Sequence, residues 1–209
     1  RKVFTMILAL AMVLSLAVPA FAAEVDGETY TLTINNEVEG HIYEAYQIFS
    51  GNLSTNTEGR EVLSNIVWGD GVDGEALLAL INDEENGIDA LKGATDAASL
   101  AVKLSAVTSD SATIDAFAEM VGDCLATAQG ASTMKVDSEG KNYYEIAGLE
   151  AGYYLIKDQD NTLNNEYDAY TKYIIRVLRS VSVTPKSSVP EVKKTINDTV
   201  DGTFAEHED

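Results

Sequence analysis

The chain has 209 residues, a formal net charge of -20 and 45% hydrophobic residues. That length suits one domain of moderate size with extra segments, and the hydrophobic share is enough to bury a core. The charge excludes nucleic acid and anionic membrane as natural partners, because phosphate would be repelled and no basic patch exists to release counterions. The single cysteine, Cys124, excludes an internal disulfide.

The chain opens on Arg1 and Lys2, followed by the apolar run MILALAMVLSLAV and then PAFAAE. A positive start, a short apolar stretch and an Ala-x-Ala signal at Ala20-Phe21-Ala22 define a secretory leader over residues 1–22, with cleavage between Ala22 and Ala23. The run is shorter than the ~20 apolar residues a spanning helix needs. Residues 28–34 alternate Tyr30, Leu32 and Ile34 with Thr29, Thr31 and Thr33, the pattern of a half-buried strand. Asn35 and Asn36 mark a turn. Residues 41–49, HIYEAYQIF, predict a second strand, with His41 as a surface or edge residue at its start. A polar loop is expected over 51–59, then a short apolar segment over 62–68 that ends in Gly69-Asp70-Gly71.

The middle of the chain changes to helical spacing. Short helices are expected over 74–81 and 95–107, and a longer one over 109–129. In the last, Ile114, Phe117, Ala118, Val121 and Leu125 form an apolar stripe that reads as core. Asp110 or Ser111 would cap its start and Gly130 would end it in a left-handed turn. Cys124 lies on this helix and reads as a small buried hydrophobe. Strands return over 133–136, 141–146 and 152–157, and 170–183 is a long β-rich run. Strands, a helical excursion around 74–130 and strands again imply a mainly β fold with inserted helices, an antiparallel β-sandwich and not a βαβ repeat.

Tests for catalytic chemistry are negative. A cysteine or serine nucleophile needs a histidine base, and neither His41 nor His207 sits in a recognisable motif. No Cys/His cluster has zinc spacing, and Gly69-Asp70-Gly71 lacks the Lys-Ser/Thr of a phosphate loop. The acidic segment 158–168, DQDNTLNNEYD, offers hard oxygens but lacks the glycine and terminal glutamate of a calcium loop, so it reads as a solvated loop. No metal and no cofactor are expected, and the protein is not expected to be an enzyme.

Two lysines near the end stand apart. Lys186 follows a proline at the end of the β-rich run, and Lys194 alternates with Val192 and Ile196, which would aim it inward with them. Here five segments carry a resemblance: GHIYEAYQIFSG, LSNIVWGDGV, GLEAGYYLI, VTPK and PEVKKTIND. Together, and in this order, they resemble the sortase-assembled backbone pilins of Gram-positive bacteria, across essentially the whole chain after the leader. The resemblance implies an immunoglobulin-like β-sandwich over 23–186 and the linker and first strand of a second domain over 187–209. It implies that Lys186, in VTPK, is the pilin lysine to which a class C-type sortase joins the C-terminal threonine of the next subunit. Thr184 stands where the family usually has tyrosine.

The resemblance also implies that Lys194 forms an intramolecular isopeptide bond in the second domain, with an asparagine and acid beyond Asp209. The first domain would carry no such bond, since its opening strand has no lysine. The expected partners are neighbouring pilin subunits, the sortase and host surface ligands. The expected location is the cell wall, as a secreted surface pilus with a role in adhesion. The second reading of the same scaffold is an adhesin for carbohydrate or matrix, with Tyr143-Tyr144 and Tyr153-Tyr154 lining its face.

Overall fold

The computed structural model describes residues 28–107, 110–159, 172–185, 196–200 and 203–207. The leader with Ala22 and Ala23, most of the acidic segment after Gln159, and both Lys186 and Lys194 lie outside the described residues.

The chain folds as three layers. The outer layer is a sheet of β5 (Thr133–Val136), β6 (Asn142–Leu149), β1 (Tyr30–Ile34) and β9 (Val181–Val183), in that order. The central layer runs β3 (Glu61–Trp68), β2 (Tyr43–Thr55), β7 (Gly152–Asp158) and β8 (Lys172–Val177), with the short β4 (Gly130–Ala131) also on β2. The third layer is three helices: α1 (Gly74–Ile81), α2 (Ala97–Ala106) and α3 (Ser111–Asp123). All the pairings within the two sheets are antiparallel except β1 with β9, which is parallel.

Burial follows from the layers. β1 belongs to the outer sheet, so Tyr30, Leu32 and Ile34 face inward and the threonines between them stay half-exposed. β7 lies in the central sheet, so Gly152 through Ile156 are all buried. Its odd members, Tyr153 and Leu155, pack among the helices with Phe49, Leu100, Phe117 and Val121. Its even members, Tyr154 and Ile156, pack between the two sheets with Leu32, Ile146 and Tyr173. An unbroken apolar run is what a strand covered on both faces requires.

Two expectations are corrected, and a third, the β-rich run over 170–183, is resolved into separate strands. The polar loop over 51–59 is mostly strand: β2 continues to Thr55, pairing Asn52 with Ser64 and Ser54 with Val62. Backbone pairing with β3 decides this, and the polar side chains do not oppose it on a partly exposed face. The long helix ends at Asp123 with Cys124 as its C-cap. Beyond it the backbone is captured by other partners: Leu125 bridges Val72, Ala126 N donates to Gly71 O, and Gln129 N donates to Ala45 O. Gly130 therefore joins a strand and is not the helix cap. The run over 170–183 is two strands, because β8 and β9 lie in different sheets. β10 (Ile196–Val200) and β11 (Thr203–His207) pair with each other in antiparallel register, Ile196 opposite His207.

Candidate functional site

β9 carries the chain toward Lys186. Val183 is its buried last residue, and Thr184 is exposed immediately after it. The end is pinned to β1: Asn35 N donates to Val183 O, and Asn35 Nδ2 donates to Ser182 Oγ at 2.9 Å and Thr184 Oγ1 at 3.3 Å. The strand is short, so these bonds across the β1–β9 edge fix where the chain leaves the sandwich. An acceptor amine at Lys186 has an ordinary pKa of about 10.4 and is almost wholly protonated at neutral pH, so it needs a position that an enzyme can reach. Thr184, two residues earlier, is exposed, and Lys186 itself lies outside the described residues.

A groove opens at the same end of the outer sheet. It has a volume of about 480 Å³ and is lined by Thr33 and Asn35 of β1, Thr184, and Lys141, Asn142 and Tyr143 at the start of β6. Glu37 and Asp137 complete its rim. The Asp137 carboxylate accepts from the backbone N–H of Glu139 and Lys141, which holds it below its ordinary pKa. Lys141 Nζ lies 3.5 Å from Glu37 Oε1.

Between the sheets lies a polar cluster that the sequence reading did not find. His41 is buried, not a surface or edge residue, and its Nδ1 lies 2.9 Å from Asp158 Oδ1, with Asp158 fully buried. The imidazole stacks on Tyr43 at 5.2 Å and meets Tyr144 edge-on. Tyr144 donates to Val38 O at 2.6 Å, and Tyr43 Oη accepts from Asn36 Nδ2 at 2.7 Å. These bonds tie the β1–β2 connection to β6 and β7. With both of its ring-facing partners buried, the cluster reads as a fastening of the fold. Asp158 thus belongs to the end of β7 and is buried.

A second node sits on Gln47 in the middle of β2. Its Nε2 donates to Tyr154 Oη and Ala151 O, and its backbone N–H donates to Gln129 Oε1 at 2.6 Å. Gly69, Gly71 and Gly152 press against it so closely that a Cβ on any of them would meet Gln47 atoms. Three of the five segments behind the pilin resemblance, around Gln47, Gly69-Asp70-Gly71 and Gly148–Tyr154, therefore converge on one packing contact. Cys124 is buried, and burial raises its thiol pKa, helped by Asp123 and Asp73. A thiol held protonated is a poor nucleophile.

Among the described residues no group of three His, Cys, Asp or Glu side chains is placed to hold a metal ion, and no helix is long and apolar enough to cross a membrane. Compared with known proteins, the chain matches no family model, no curated protein and no solved structure. The described residues form a mainly β protein of two facing, largely antiparallel sheets with a helical layer on one of them.

Proposed function

We propose that this chain is a structural subunit of a covalently polymerised cell-surface pilus, with Lys186 as the amine acceptor. The observation that carries the reading is the exit of β9: the last strand of the sandwich ends at Val183, and the chain surfaces at Thr184, two residues before Lys186. The five ordered segments support the same reading. The two facing sheets, joined by connections that cross between them, are read as immunoglobulin-like in this proposal.

In this role the protein is exported by its leader, cut between Ala22 and Ala23, and held at the cell wall. It performs no catalysis of its own. A class C-type sortase joins the C-terminal threonine of the next subunit to the Lys186 Nζ, and the amide link survives unfolding. A folded domain alone resists with only about 5–15 kcal/mol. Lys194 would serve within the subunit: a lysine among apolar side chains has a lowered pKa, and its neutral amine can attack an asparagine amide and release ammonia.

The test is direct. Purified class C-type sortase and a sorting-signal peptide should label the chain at Lys186, and Lys186→Ala should abolish labelling. Labelling that persists unchanged in the variant rejects the acceptor role. For Lys194, a chain extended through the next domain should have an intact mass short by one ammonia; an unshifted mass rejects that bond.

A further inference from the structure

Asn35 does more than follow the end of β1. We propose that it is the positioning residue for the acceptor segment, holding Thr184 through its side-chain amide so that the chain leaves toward Lys186 from a fixed point. The inference rests on the reading of Lys186 as the acceptor.

β9 is three residues long and lies parallel to β1, with Leu32 opposite Val181, Thr33 opposite Ser182 and Ile34 opposite Val183. Parallel pairing is slightly the weaker kind per residue, and a ladder this short holds little by itself. Side chains add to it. Just before the strand, Thr31 N donates to Ser180 Oγ at 3.1 Å. At its end, the backbone N–H of Asn35 donates to Val183 O at 2.8 Å. Thr184 stands one residue further on and is exposed. The Asn35 Nδ2 donates to both Ser182 Oγ, at 2.9 Å, and Thr184 Oγ1, at 3.3 Å. One amide thus carries the hold on β9 a residue past the strand. That amide is itself braced: Asn36 N donates to Ile34 O, Asn36 Nδ2 donates to the hydroxyl of the buried Tyr43, and Asn36 Oδ1 accepts from Val38 N. The turn that bears Asn35 is therefore tied to the interior.

Little slack separates this clamp from Lys186. Only Pro185 intervenes. Its ring fixes its own φ and confines Thr184 to extended backbone. Threonine at 184, where the resembled family has tyrosine, brings a short hydroxyl within reach of Asn35. In the transfer, the neutral Lys186 Nζ attacks the threonyl carbonyl carried by the sortase. The C–N bond forms, the bond from that carbonyl to the sortase breaks, and the amine proton passes to the leaving group. Such a step depends on presenting the attacking atom within about 3–3.5 Å of its target. A segment held at Thr184 presents it from one direction, and a released segment must be captured from many.

The full chain should be assayed as acceptor with purified class C-type sortase and a sorting-signal peptide. In Asn35→Ala, which keeps the backbone bond to Val183, kcat/KM for the chain should fall about tenfold, the scale of one or two lost hydrogen bonds. The KM of the peptide and the urea midpoint should stay close to those of the unaltered chain. Asn35→Asp should keep most of the rate, because the hydroxyls of Ser182 and Thr184 can donate to a carboxylate. Thr184→Val should also slow labelling, and Asn35→Ala added to it should cost less than it does alone. A second measurement needs no sortase: tryptic cleavage between Lys186 and Ser187, read by mass spectrometry, should be several-fold faster in Asn35→Ala. Labelling at Lys186 with kcat/KM unchanged in Asn35→Ala, additive losses with Thr184→Val, or an unchanged tryptic rate overturns this inference and leaves the acceptor reading standing. No labelling at Lys186 in the unaltered chain, beside faster cleavage in Asn35→Ala, overturns the acceptor reading and with it this use of the clamp.

Discussion

The hydroxyl of Tyr173 is the clearest single-residue lesson of the interior. It is buried with no hydrogen-bond partner among the described residues, and burial, with Tyr43 and Asp158 nearby, pushes its pKa well above 10.0. A buried hydroxyl without a partner has lost its water and gained nothing in return. Tyr173→Phe should therefore raise stability by about 1 kcal/mol, read as a higher urea midpoint at unchanged slope. A drop of similar size would show that the hydroxyl has a partner after all. The contrast with Tyr43 and Tyr144 is instructive, since both of their hydroxyls are satisfied at 2.6–2.7 Å. From the sequence these three tyrosines look alike. Likewise His41 looked peripheral because it starts a strand, and its partner Asp158 lies 117 positions away. Such a contact has no local signal.

At the scale of elements, the helix starts and the ends of α1 and α2 were legible within about two residues, and the end of α3 was not. Asp73, Asp96 and Asp110 each accept backbone N–H bonds at a helix N-terminus, as capping chemistry demands. The Asp96 carboxyl is held below its ordinary 3.8 by the backbone N–H of Ser99 and then its hydroxyl. Asp110 is held low by the hydroxyl and then the backbone N–H of Thr113. A lowered folded-state pKa adds stability above the unfolded value, and that stability is lost as pH falls through the folded value. The melting temperature should thus fall on acidification from about pH 5 to pH 3, and less steeply in the Asp96→Asn, Asp110→Asn double variant. Parallel slopes in the two proteins would contradict this.

The end of α3 was missed because its competitors are distant: Gly71 and Ala45 take the backbone that would have continued the helix. The glycines of the same region have a reason the sequence alone did not disclose. Gly71 does not need a positive φ; it needs the absence of a Cβ, which would strike the backbone of Gln47. Gly71→Ala should cost about 1–3 kcal/mol by denaturant unfolding. A loss below about 0.5 kcal/mol, ordinary for a surface change, would show that β2 yields there.

For the whole molecule, the order of strands, helices and strands identified a mainly β fold with an inserted helical part. The layering was written in the sequence too, in the difference between the alternating β1 and the continuous apolar run of β7. Recognising the second as burial on both faces requires knowing where the helices land, which is a long-range fact. The parallel β1–β9 contact has no local signature either, yet it sets the point at which the chain leaves the sandwich.

The central claim, a subunit built to be linked through that exit, is tested most directly by tandem mass spectrometry of proteolysed polymer from the native cell surface. The account predicts a branched peptide in which the Lys186 Nζ carries the C-terminal threonine of a neighbouring subunit. Polymer joined through a different lysine, or recovery of Lys186 only as an unmodified residue, would contradict it.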